Sequence, residues 1–146
     1  MKTWKLMRIW LACVLACTLT ACGDDITYYT IQNSDEMLCA HTWMETYDTT
    51  NEEGVAVTCV HQLKFDTRDW SGQEIHQYYY TGQSRPYSEV THNFDWEWMD
   101  NTKEGLRMDF GAGNIVYFEN VWVREHYLSG KLDGVQVTLT DANYRL

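Results

Sequence analysis

From residue 55 onward, apolar and polar side chains alternate with a period of two, the spacing that sends successive side chains to opposite faces of a β-strand. In the first run, one face carries Val57, Cys59, Leu63 and Phe65, and the other carries Thr58, Gln62, Lys64 and Asp66. A run from Val90 sets Phe94, Trp96 and Trp98 against Asn93, Asp95 and Glu97, and Leu106, Met108 and Phe110 alternate with Arg107 and Asp109. Ile115 to Tyr127 is a longer apolar run, rich in β-branched and aromatic residues, whose period slips near Glu119–Asn120. Such a slip predicts a bulge or a bend. Val135, Val137 and Leu139 close the chain as a last strand. No segment carries a convincing 3.6-residue apolar period. Turn signals separate the runs at Asn51–Gly54, Asp69–Gly72, Gly82–Pro86, Asp100–Gly105, Gly111–Asn114 and Ser129–Gly134. The pattern predicts an all-β domain: an antiparallel meander of about seven to eight strands, closed as a barrel or stacked as a sandwich.

The N-terminus follows a different logic. Lys2, Lys5 and Arg8 precede an apolar run from Ile9 to Ala21, too short to span a bilayer comfortably, and together they read as a secretory signal peptide. The sequence Leu19-Thr20-Ala21-Cys22-Gly23 resembles a bacterial lipobox. That resemblance implies cleavage after Ala21 and acylation of Cys22, which anchors the chain to a membrane. Asp24 and Asp25 resemble a surface-export signal of lipoproteins from Bacteroides-like bacteria. The expected address is the outer membrane, facing either the cell exterior or the periplasm. The expected organisation is a signal peptide over 1–21, a lipidated tether over 22–36 and a β domain over 37–146. Ile26–Ile31 could pair as an edge strand.

Removing the leader changes the charge. The 146-residue chain has 11 Lys+Arg against 21 Asp+Glu, a net -10. The leader holds three basic residues and no acidic ones, so the processed chain carries 8 against 21, a net -13. This acidity excludes nucleic acid as a partner, because phosphate binding needs clustered Lys and Arg. Processing also leaves two unmodified cysteines, Cys39 and Cys59, and an even pair in an exported domain predicts one disulfide. A Cys39–Cys59 hairpin would centre on residue 49, two to three residues before the Asn51–Gly54 turn. The alternatives are two free buried thiols or a metal pair, the latter disfavoured because two cysteines without a close partner cannot make a four-ligand site.

Leu38-Cys39, Trp43 and Tyr47 resemble the opening strand of small lipocalin-like lipoproteins of Bacteroides-like bacteria, and Phe65, Phe94-Asp95-Trp96-Glu97-Trp98 and Tyr127 to Gly134 resemble later segments of that group. The resemblance spans about residues 37 to 141. It implies a meandering barrel with an early Trp packed under one end, and it implies a fold more than an activity.

Catalytic patterns are missing from the chain. The histidines (41, 61, 76, 92 and 126) lack ligand spacing for a metal, no serine lies in a nucleophile elbow, and Gly111-Ala112-Gly113 lacks the context of a dinucleotide site. Asp95 and Glu97 alternate with aromatics, as on any solvated sheet face. No catalytic residue, metal or cofactor is expected. Nineteen aromatic residues remain after processing, and Trp43, Trp96, Trp98, Tyr78 and Tyr80 are the candidate contacts. The favoured function is a non-catalytic binding module for a small apolar ligand or a glycan. The alternative is an interaction protein: an accessory subunit of an outer-membrane complex or an acidic inhibitor of a basic enzyme.

Overall fold

The computed structural model describes residues 32–145, so the signal segment, Cys22 and Ile26–Ile31 lie outside the described residues. Eight strands follow one another around an antiparallel barrel: β1 (Trp43–Thr50), β2 (Ala56–Asp66), β3 (Ser71–Tyr80), β4 (Ser88–Trp98), β5 (Leu106–Asp109), β6 (Ile115–Val123), β7 (Tyr127–Leu132) and β8 (Val135–Asp141). Each pairs with its neighbour in sequence, and β8 returns to β1. The all-β expectation holds, and the sheet closes as a barrel.

Turn chemistry sets the registers. Thr50 stands opposite Ala56, which centres the β1–β2 hairpin on the Asn51–Gly54 turn. There the Asn51 side chain accepts from the Glu53 and Val55 amides, and Gly54 takes φ +77°, a region favouring glycine. The β6–β7 register shifts between Glu119 and Trp122, where the alternation slips, and Asn120 takes φ 51°.

The inward faces of the strands meet in a core built on Trp43, Leu63, Phe94, Trp96, Met108 and Phe118. Gly72 is paired with Phe94, and a Cβ there would fall 2.3 Å from the Phe94 ring and 2.6 Å from the Lys64 carbonyl. The residue is glycine because the ring occupies that space.

Three expectations are corrected. Leu38 and Cys39 do not open a strand but end a five-residue helix, α1 (Asp35–Cys39), started by Ser34, whose hydroxyl accepts from the Met37 amide. Leu38 is fully buried in the barrel core, and the Trp43 indole N–H donates to its carbonyl at 2.8 Å.

The folded unit also begins before residue 37. Asn33 is buried; its amide donates to the carbonyls of Lys103 (2.6 Å) and Val121, and its side-chain oxygen accepts from the Val123 amide at 2.8 Å. One side chain thus satisfies three backbone groups, two on β6 and one in the β4–β5 connection, so residues 33–36 are part of the domain rather than tether.

Cys39 and Cys59 are free thiols and form no disulfide. The register explains why. Cys59 faces Tyr47 in mid-hairpin, four residues beyond the Trp43–Leu63 pair, about 13 Å along the strand. Cys39 lies on the other side of Trp43, on α1. A disulfide needs Cα atoms within about 7 Å.

Barrel closure is confined to one end. Among the described residues, β8 pairs with β1 only at Trp43 and Met44, and β4 pairs with β5 only from Asp95 to Trp98. Beyond that level β1–β4 continue as a four-stranded sheet, and inward positions such as Tyr47, Tyr80, Val90 and His92 are exposed.

Candidate functional site

The inward face of this projecting sheet changes character along its length. At the closed end it is apolar. One step further along β2, the residue after Leu63 on the inward face is His61, only 4 % exposed. Pairing places Glu45 directly opposite it on β1 and His76 opposite it on β3. His61 Nδ1 lies 2.9 Å from Glu45 Oε1, and Nε2 lies 2.9 Å from Glu74 Oε1. The His76 ring stacks on His61, with centroids 4.6 Å apart and planes 5° from parallel.

The electrostatics follow from this packing. Burial pulls His61 toward the neutral form, but the hydrogen bonds and charges of Glu74 and Glu45 outweigh it and raise its pKa. Burial raises Glu74, and the His61 bond outweighs it, lowering that pKa. His76 is lowered, first by burial and then by repulsion from His61. The cluster therefore favours a protonated His61 held between two carboxylates, with a neutral imidazole stacked beside it.

From this floor a column of rings climbs to the rim. His76 stacks on Tyr78 (6.4 Å, 15°), Tyr78 meets Tyr87 at 6.4 Å, and Tyr87 stacks on Tyr80 at 4.1 Å and 20°. Tyr87 is placed by its amide, which donates to the Tyr78 carbonyl at 2.9 Å. Tyr80 and Tyr87 are exposed, and Tyr47 is exposed across the sheet. Burial, followed by the adjacent Cys59 thiol, raises the pKa of Tyr47 and Tyr78, so both remain neutral hydroxyls.

The expected contact residues divide. Tyr78 and Tyr80 stand on the open face. Trp43 and Trp96 do not: they are 0 % and 2 % exposed, with no surface left for a ligand. The Trp96 indole N–H donates to the Ser71 carbonyl at 2.9 Å, so the ring is a core strut. Trp98 is half-buried and donates to Asp35 at 2.6 Å, joining α1 to β4. Lys103 reaches the same Asp35 oxygen at 3.0 Å. Asp95 and Glu97 are exposed, as expected of a solvated face.

A cavity of about 810 Å³, lined by Lys64, Asp66, Asp69, Gln73 and Asp95 among others, contains none of the expected contacts. A second of about 520 Å³ includes Tyr80 with Asp48, Thr58 and Gly82.

The sequence reading missed His61, Glu74, His76 and Glu45 as a group. The signal was present in parity: His61 occupies the same alternation as Val57, Cys59, Leu63 and Phe65, so a polar residue sat on an apolar register. Its partners came from other strands, and only the register brings them together. No family model, curated protein or solved structure matches the chain.

Proposed function

We propose that this protein is a lipid-anchored, non-catalytic binding module of the outer envelope, and that the open face of β1–β4 takes a glycan. The observation that carries this reading is the ring column of half-buried Tyr78 and exposed Tyr87 and Tyr80, rising from a polar floor of Glu45, His61 and Glu74. Sugars present apolar C–H faces and hydroxyl edges together. Flat neutral phenols suit the first, and half-buried carboxylates and the half-buried His76 imidazole suit the second. The same polar floor disfavours a wholly apolar ligand, because covering partly exposed carboxylates with apolar atoms removes their water without replacing it. Lipocalin-like kinship and lipidation at Cys22 belong to the same proposal, and the eight-stranded barrel supports the former.

An immobilised oligosaccharide array probed with the detergent-extracted full-length protein tests the reading. Binding is expected to fall about two- to tenfold in Tyr80→Ala, since a ring stack contributes about 0.5–1.5 kcal/mol. An array left blank by the wild type, or retention unchanged in Tyr80→Ala, overturns it.

One observation favours the interaction-protein reading: Trp122 is 58 % exposed on the outer face of β6, with the Arg124 guanidinium 4.3 Å from its ring centre. Exposed Trp beside Arg is a composition typical of protein contact hot spots. Pull-down from envelope extracts with wild type and Trp122→Ala separates the two, because only the interaction reading expects a partner lost with Trp122.

A further inference from the structure

We propose that His61, His76 and Glu74 form a site for a divalent transition-metal ion of the zinc class, with Glu45 acting as the positioning carboxylate behind His61. The coordinating atoms of the three residues lie within 4.8 Å of one another. Two imidazoles and one carboxylate make a mixed nitrogen–oxygen set, which suits zinc and its neighbours and not calcium or magnesium, whose sites are built from oxygen.

The geometry needs one bond to lengthen and one ring to leave its stack, because rings only 5° from parallel cannot aim their in-plane lone pairs at one ion. Zinc bonds of about 2.0–2.2 Å in a tetrahedral site set ligand atoms roughly 3.4 Å apart. Glu74 Oε1 and His61 Nε2 must therefore open from 2.9 Å by about half an ångström, and His76 must swing inward from its stack. His76 is half-buried and lies outside the packed apolar core, so moving it does not open that core.

The arrangement around His61 is the strongest feature. Metal-bound histidines commonly donate their second ring N–H to a carboxylate, which fixes the tautomer. Glu45 already accepts from His61 Nδ1 at 2.9 Å, so Nε2 is the nitrogen that would coordinate. On binding, the Nε2 proton leaves to solvent and the lone pair goes to the metal. Two carboxylates then balance the two positive charges. Three protein ligands leave a fourth position free for water or another ligand.

The site lies at the foot of the proposed sugar-binding column but does not depend on it. Metal binding is measured with no sugar present, so either reading can fail alone. The experiment is equilibrium dialysis of Zn²⁺ against chelator-stripped, detergent-extracted full-length protein, with bound metal measured by mass spectrometry. One zinc per chain is expected, undisplaced by a hundredfold excess of Ca²⁺ or Mg²⁺. His76→Gln and Glu74→Gln should each weaken binding at least a hundredfold, and Glu45→Gln roughly ten- to a hundredfold. His126→Gln, outside the cluster, should bind as wild type. Zinc-induced shifts of the His61 and His76 imidazole resonances in the unmutated protein give a readout that no folding defect can mimic. No stoichiometric zinc, unshifted resonances, or full retention by His76→Gln and Glu74→Gln overturns the site.

Discussion

Trp43→Phe tests how much the buried indole bond contributes to holding α1 on the barrel, beside the part-buried bonds of Trp98 and Lys103 to Asp35. Trp43 is fully buried, and its N–H is the hydrogen bond to the Leu38 carbonyl at 2.8 Å. Phenylalanine keeps an aromatic ring but removes the donor. A buried carbonyl left unpaired costs about 1–3 kcal/mol. The smaller ring also leaves a void larger than a methyl group, which costs about 1 kcal/mol more. The expected loss is therefore about 2–4 kcal/mol, a large share of the roughly 5–15 kcal/mol that holds an ordinary domain together. Urea unfolding followed by tyrosine and tryptophan fluorescence, fitted with a common slope, measures it. Trp122→Phe, a change of the same type at an exposed position, should stay within about 0.5 kcal/mol. A loss below 1 kcal/mol for Trp43→Phe would mean that water reaches the Leu38 carbonyl, and the pinning argument would be wrong.

Gly72→Ala should destabilise by about 1–3 kcal/mol through overpacking, because the new methyl meets the Phe94 ring at 2.3 Å; adding Phe94→Leu should recover only part, since the Lys64 carbonyl at 2.6 Å stays in place. Thermal unfolding of the single and double variants decides it, and full recovery would show that the backbone contact is irrelevant. Alkylation of non-reduced, denatured protein should label both Cys39 and Cys59. In the native state Cys59 should be inert and Cys39 slow, because burial and then the charges of Asp35, Asp66 and Glu36 push its thiol up to about 11; a Cys39–Cys59 peptide on non-reducing digestion would contradict the register. Asp35 is raised by burial, but bonds from Trp98 and Lys103 outweigh this and hold it below the ordinary 3.8. Its contribution is present above that value and lost as pH falls through the lower folded value. The stability gap between wild type and Asp35→Asn should therefore narrow on acidification, and a gap that widens would reverse the assignment.

Much of the barrel was legible because strand alternation is a local signal. Phe94, Trp96 and Trp98, or Val57 to Phe65, declare their inward face within a few residues, and the slip at Glu119–Asn120 declared the bulge. The Asn51–Gly54 turn also placed the first hairpin correctly, while the cysteine count argued for a different centre. The turn was the better guide because it reports local backbone geometry, whereas counting cysteines assumes they meet. What was not legible needed partners from far along the chain. α1 is too short to show a helical period, and Asn33 finds its partners 70 to 90 residues later. The Glu45–His61–Glu74–His76 group uses three strands. Tryptophan was read as a contact residue for its chemistry, but Trp43 and Trp96 are the largest side chains available to fill a core, and that role takes them out of reach.

The three bonds of Asn33 also have a mechanical meaning. Any pull arriving along the chain from its N-terminal side reaches the domain at Asn33 before it reaches α1 or β1. Its amide grips the Lys103 and Val121 carbonyls and the Val123 amide, so tension is handed to the far half of the barrel. Peeling β1 from β2 would break ladder bonds one at a time, as a zip opens. The Asn33 grip has to fail at several bonds together before that zip is loaded. The residue works as a strain relief at the point where a cord enters its housing.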